Sequence, residues 1–103
     1  MAAGFRHVVM FRWRSGTPES QLAALERALA ELPRQVAEIR RYRFGRDAGA
    51  VSGNFDFAIV ADFADRAAWQ RYVDHPAHQK LITEQIRPIL AERAATQLAV
   101  ELD

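Results

Sequence analysis

Tyr72, His75 and His78 stand in the stretch Tyr72-Val73-Asp74-His75-Pro76-Ala77-His78-Gln79, so a phenol and two imidazoles fall within seven residues. Such groups accept or donate protons or bind a metal, and no other part of the chain gathers as much polar chemistry. A His with an ordinary pKa near 6.5 is partly neutral at pH 7, so His78 in a pocket could take a proton from carbon or oxygen. Tyr72 could then hydrogen-bond a carbonyl oxygen and stabilise the enolate that forms. The competing role for His78 is structural: it pins a helix corner by bonding a backbone carbonyl. Pro76 cannot continue a helix from its N-terminal side but opens one well, so a corner is what the spacing predicts. His75 is the more structural of the two imidazoles, closing one helix or capping the next. His75 and His78 are spaced like some metal-ligand pairs, but the nearest acids are Asp74 and Glu84 and no third ligand is apparent, so no metal site is expected.

Apolar spacing identifies the elements that must hold this corner. Phe5, His7, Val9, Phe11 and Trp13 alternate with Arg6, Val8, Met10, Arg12 and Arg14, which predicts a first strand apolar on both faces at its middle. His7 on such a face is ordinarily a satisfied core histidine, and a place in a pocket wall is its alternative. Ser15-Gly16 reads as a turn, and Thr17-Pro18-Glu19 offers an N-cap, a proline at the first helical position and an acid in the first turn. Leu22, Leu25, Leu29, Leu32, Val36 and Ile39 form one apolar stripe of an amphipathic helix, which Pro33 is expected to kink or split. A short strand is expected from Tyr42 to Arg46, then a glycine-bearing loop over 47–54. Phe55, Phe57, Ile59, Ala61 and Phe63 predict the clearest strand, with Ala58 and Val60 apolar on its other face. Asp65 is placed to cap a helix presenting Trp69, Tyr72 and Val73. Pro76 opens the next, with the stripe Leu81, Ile82, Ile86, Ile89 and Leu90 and a bend at Pro88. Thr96, Leu98, Val100 and Leu102 alternate as a final strand. This order predicts an α+β, ferredoxin-like four-stranded antiparallel sheet with helices on one face. Strands apolar on both sides need cover for the open face, and a second copy packed sheet to sheet supplies it, giving a homodimer.

The chain has 103 residues, expected to form one domain over 1–103. A chain of this length hides only about 60–65% of its unfolded surface alone, a further motive for pairing. Net charge is +1, so neither nucleic acid nor anionic membrane is an expected partner. The absence of cysteine excludes disulfides, thiolate catalysis and Cys-ligated metal. Arg6, His7 and Arg12 interrupt the apolar residues near the start, and no run approaches membrane-span length, so a cytoplasmic location is expected. The glycines at 45, 49 and 53 form no phosphate loop, and no cofactor motif is present. An RNA-recognition sheet shares the element order, but Ser52 precedes Gly53 and Asp56 stands where a small uncharged residue is wanted. Arg40, Arg41, Arg43 and Arg46 make a local positive patch of the kind usually solvated or paired with nearby Glu.

The first strand His7-Val8-Val9-Met10-Phe11-Arg12-Trp13, the strand Phe55-Asp56-Phe57-Ala58-Ile59-Val60, the motif Tyr72-x-x-His75-Pro76-Ala77-His78 and the helix end Ile86-Arg87-Pro88-Ile89-Leu90 together resemble the stress-responsive A/B barrel family. The resemblance covers nearly the whole chain and implies a dimeric α/β barrel. Its best-understood catalysts are plant polyketide cyclases, in which the second His of the motif is the base and the Tyr orients the substrate. By position these are His78 and Tyr72, while His7 matches a pocket-lining His and, with Phe57 and Trp69, is expected to contact substrate. The cyclases also present a Tyr from the first helix. Here that helix has no aromatic residue between Gln21 and Leu32, so the cyclase substrate does not transfer. The expected function is binding of a small, largely apolar carbonyl compound, with cofactor-free acid–base chemistry as its catalytic form. The alternative is a non-catalytic, stress-associated dimer in which the motif serves only the fold.

Overall fold

Residues 2–102 are described by a computed structural model. The alternation of the first strand extends over β1, Ala2–Trp13, and α1 follows at Glu19–Gln35. Strands β2 (Arg41–Arg46) and β3 (Phe57–Phe63) come next, then helices α2 (Arg66–Asp74) and α3 (Pro76–Leu81). A π turn over Ile82–Ile86 and a 3₁₀ turn over Arg87–Ile89 lead into β4, Leu90–Leu102. The four strands form one antiparallel sheet in the order β2-β3-β1-β4. That is the ferredoxin-like arrangement of a split βαβ chain.

Cross-strand register divides the sheet into two unlike faces. His7 opposes Ala61, Val9 opposes Ile59 and Phe11 opposes Phe57, and all six side chains lie under the helices. Leu25, Leu29 and Leu32 of α1, with Val36 just beyond it, are fully buried against them. Each such side chain contributes about 1.5–3 kcal/mol of burial. On the other face Val8 opposes Val60 and Met10 opposes Ala58. Among the described residues no helix covers this side: Met10 is 38% and Leu98 47% exposed. Asp62 is buried on it and accepts two bonds from the Arg6 guanidinium, at 2.7 and 3.0 Å.

Several local expectations change. The Thr17 hydroxyl donates to the Arg14 carbonyl at 2.6 Å, serving the turn, and Pro18 occupies the cap position without a side-chain bond. Pro33 does not split α1: the helix ends at Gln35, so the missing N–H weakens only its last turn. Near Pro88 the Arg87 N–H bonds the Ile82 carbonyl in the wide π spacing. A proline lacks the N–H that would close the ordinary turn and its ring crowds the carbonyl four residues back, which widening the preceding turn relieves. The last strand begins at Leu90, well before Thr96, because β1 is long enough to pair with it along its whole length. Its ladder is interrupted by a bulge where Arg12 opposes Glu92 but Trp13 opposes Leu90.

Candidate acid–base site

The corner at Pro76 is built by three helix-end rules. Asp65 caps α2 by accepting from the Ala68 N–H at 2.8 Å, which sets the rotation that presents Trp69 and Tyr72 inward. The His75 Nδ1 accepts from the Ala77 N–H at 3.0 Å and so caps α3 behind Pro76. That bond occupies the N–H which would otherwise reach the Val73 carbonyl. The orphaned carbonyl is met instead by Nε2–H of Gln79 at 2.6 Å and by Nδ1 of His78 at 3.2 Å. A carbonyl only accepts, so His78 Nδ1 carries the proton and the Nε2 lone pair remains. Among the described residues nothing hydrogen-bonds that Nε2.

His78 and Tyr72 share a cavity of about 360 Å³. Their rings lie 4.1 Å apart between centroids. His7 of β1 enters from the sheet, 6.5 Å from the Tyr72 ring and 5.9 Å from Trp69. Gln97 of β4, opposite His7 in the ladder, donates its amide N–H to His7 Nδ1 at 3.0 Å. His7 therefore holds its proton on Nε2, the reverse of His78. Tyr42 of β2 brings its hydroxyl to 3.5 Å from that of Tyr72, the outer limit for a bond between them. Val9, Leu29, Ile59 and Ile82 supply apolar wall, and among the described residues Arg87 and Arg93 supply its only formal charges.

Burial dominates the electrostatics. It lowers the His7 pKa to about 4, with the Arg93 charge and His78 adding to the effect. It also lowers that of His78, against the Val73 carbonyl, which raises it; Arg93 and His75 lower it further. Both imidazoles are consequently neutral at pH 7. Burial pushes the Tyr72 phenol up to about 12, opposed by Tyr42 and Arg93, and pushes Tyr42 up as well. The hydroxyls are therefore donors, not phenolates. One unprotonated imidazole nitrogen thus shares a largely apolar cavity with neutral hydroxyl and imidazole donors and two guanidiniums, an arrangement able to move a proton beside a carbonyl.

His7, Trp69, Tyr72 and His78, singled out from the sequence, all line this cavity. Trp69 contributes surface only, because its indole N–H is buried and meets no acceptor among the described residues. Phe57 lies outside it. Its ring packs between Trp13 and Phe44, at 5.8 and 6.2 Å, because β3 carries it along the sheet away from the His7 position. A wider depression of about 700 Å³, bordered by Arg40, Arg41 and Asp62, contains no His or Tyr. Of the expected Arg patch, Arg46 is tied to Glu19 and Glu26 at 2.8 Å. Among the described residues no group of three or more His, Asp or Glu is placed to hold a metal ion.

The model of the family described as Stress responsive A/B Barrel Domain matches residues 5–100. This chain belongs to that family. Among A/B barrel relatives, an uncharacterized protein of Streptomyces coelicolor is 32% identical over 77 residues, covering 72% of this chain and 78% of its own. A dimeric ferredoxin-like protein of unknown function from Thermobifida fusca is 38% identical, with a TM-score of 0.88 over 97% of this chain and 93% of that one. The hydroxynitrile lyase of Passiflora edulis is 18% identical, with a TM-score of 0.84 over 95% of this chain and 94% of that one; this likeness is one of fold. No helix among the described residues is long and apolar enough to cross a membrane.

Sequence reasoning missed Tyr42, Gln97 and Arg93 in this A/B barrel domain. Tyr42 was legible as the inward alternate of Phe44 on β2, which places it opposite Ala61 and beside His7. Gln97 and Arg93 needed the register of β4, and Arg93 stands in the part of that strand whose sequence, Ala91-Glu92-Arg93-Ala94-Ala95, reads as helix.

Proposed function

We propose that this A/B barrel protein binds a small, largely apolar carbonyl compound between His7, Tyr72 and His78 and removes a proton beside the carbonyl, without a cofactor. The observation that carries this reading is the commitment of His78 Nδ1 to the Val73 carbonyl, which leaves a neutral, unbonded Nε2 on a histidine that lines the cavity. His78 Nε2 is the base. Tyr72, assisted by Tyr42, donates to the carbonyl oxygen, and His7 Nε2–H and the Trp69 ring hold the substrate. Cyclisation and isomerisation are the reactions these groups allow. The protein acts as a homodimer: the uncovered apolar sheet face supports this, as does the description of the Thermobifida fusca relative as dimeric.

The same bonds support a second, structural reading, since both histidines of the motif also pin the α2–α3 corner. One experiment separates the two. Hydrogen–deuterium exchange beside the carbonyl is followed by NMR for a panel of aryl ketones, β-diketones and oxo acids, with wild type and His78→Gln. Under the acid–base reading a panel member exchanges faster with wild type, and His78→Gln loses about 10²- to 10⁴-fold of that rate. Exchange indifferent to His78, combined with a large drop in melting temperature for the variant, leaves only the structural role.

A further inference from the structure

Two guanidiniums line a cavity that has no carboxylate in its wall. Arg87 comes from the 3₁₀ turn and Arg93 from β4, and among the described residues neither guanidinium has a hydrogen bond or ion pair. Elsewhere on this surface arginines do find acids: Arg12 meets Glu92, Arg46 meets Glu19 and Glu26, and Arg71 meets Glu38. The position of Arg93 follows from the sheet. It opposes Phe11 in the β1–β4 ladder, which directs it to the helix-covered face that holds the cavity, and its charge reaches His7, Tyr72 and His78. A guanidinium keeps its charge at any working pH, and its fork matches a carboxylate with two parallel bonds. The other polar groups of the wall are the Tyr42 and Tyr72 hydroxyls, His7 Nε2–H, His78 Nε2 and the Gln79 side chain, and none of them carries a negative charge.

We infer that the ligand of this site is an anionic carbonyl compound, a small oxo-carboxylate whose carboxylate pairs with Arg93, flanked by Arg87, while its ketone oxygen faces Tyr42 and Tyr72. This deepens the acid–base reading and rests on it. Charge sets one end of the substrate and the apolar wall accepts the rest. In this arrangement a methylene beside the ketone, between it and the carboxylate, is the carbon whose proton His78 Nε2 takes. The volume of about 360 Å³ is equivalent to about a dozen waters. An aryl or short-chain oxo acid fits that space. Arg93 is thus a specificity-determining residue, distinct in role from the base.

The test compares 4-oxo-4-phenylbutanoate with 4-oxo-4-phenylbutanamide, a pair of nearly equal shape that differs in charge, by calorimetry on the full chain. Wild type is expected to bind the carboxylate at least about tenfold more tightly than the amide, as for a charge-assisted hydrogen-bonded pair. Arg93→Gln is expected to abolish that preference by weakening the carboxylate alone, Arg93→Lys to restore it in part, and Arg87→Gln to reduce it less. Circular dichroism of each variant confirms folding before binding is read. If wild type takes the amide as well as the carboxylate, the anion inference is overturned while the carbonyl site stands. If Arg93→Gln and the Arg87→Gln/Arg93→Gln double variant keep the preference, the anion sits elsewhere and the inference also falls. If neither compound binds at millimolar concentration, the carbonyl reading falls with it.

Discussion

His7 offers a measurement in which structure dictates both sign and size. Its side chain is 6% exposed, receives one bond from Gln97, and has its pKa lowered to about 4, chiefly by burial. The unfolded chain binds a proton at the ordinary value near 6.5, whereas the native state refuses it until about 4. Between those values the unfolded state carries more protons, so stability rises with pH and is lost as pH falls through that window. Applying the linkage relation to these two pKa values gives a loss of about 2 kcal/mol between pH 7 and pH 5, approaching about 3 kcal/mol at pH 4. A shallower folded-state depression, by about one pKa unit, still leaves about 1–2 kcal/mol at pH 5. The assay is urea unfolding at fixed protein concentration at several pH values across that window, because a dimer's midpoint moves with concentration. His7→Asn keeps a neutral polar group in place but cannot titrate. The wild type should lose stability on acidification more steeply than the variant, by roughly the 2 kcal/mol above. Parallel curves for the two proteins would refute the claim that His7 is held neutral by burial, and with it the premise that the cavity contains an uncharged imidazole pair.

Three further outcomes follow from particular contacts. Leu98→Glu places a charge on the uncovered sheet face, opposite Arg6 in the ladder, and light scattering should show monomer in place of dimer at micromolar concentration; an unchanged dimer puts the interface elsewhere. Tyr72→Phe gives up a hydroxyl contact already 3.5 Å long, so stability should change by less than about 1 kcal/mol in urea unfolding while carbonyl-linked exchange falls by 10-fold or more, by the loss of one donor to the developing oxyanion; equal losses in both would make Tyr72 a packing residue. Pro76→Ala restores an N–H at the corner and allows α2 and α3 to merge, which takes the Val73 carbonyl away from His78. Nitrogen-15 chemical shifts of the imidazole should then lose the single Nδ1–H form; an unchanged tautomer would show that the carbonyl does not set it.

The parts of this molecule governed by local rules were readable from the chain. Asp65 before a helix and Pro76 after a histidine follow from short-range sterics and hydrogen bonding and appear where the pattern puts them, and of the alternation from Phe55 to Phe63 the part from Phe57 onward is strand. The parts that depend on distant pairing were not. Ala91 to Ala95 have strong helix formers, yet they pair with β1 because a strand running from Ala2 to Trp13 leaves a long row of N–H and C=O groups to satisfy. That length was itself a signal: β3 pairs only Phe5 to Phe11 of β1, so the ends of β1 find their partners on the β4 side. Missing it hid Arg93, which lines the cavity, and Gln97, which bonds His7. Phe57 illustrates the opposite limit. Its face was assigned by period two, but alternation says nothing about how far along the sheet the cavity lies.

The opposed protonation of the two imidazoles is the step that joins this fold to its chemistry. Two neutral histidines facing one chamber could present two acceptors, two donors, or one of each, and only the last is directional. His7 is set by a side chain that β4 brings alongside it, Gln97, and His78 by a backbone carbonyl. The second depends on a chain of local causes: the proline lacks an N–H, α2 stops, His75 captures the next free N–H as a cap, and the Val73 carbonyl is left for His78. A backbone acceptor cannot titrate or rotate away, so the tautomer is fixed by the covalent structure of the corner rather than by a mobile partner. The two readings of the motif, holding a corner and supplying a base, are therefore coupled. The bond that makes His78 structural is the bond that frees its other nitrogen, and stability measurements on His78 variants acquire meaning for function only when the tautomer is measured with them.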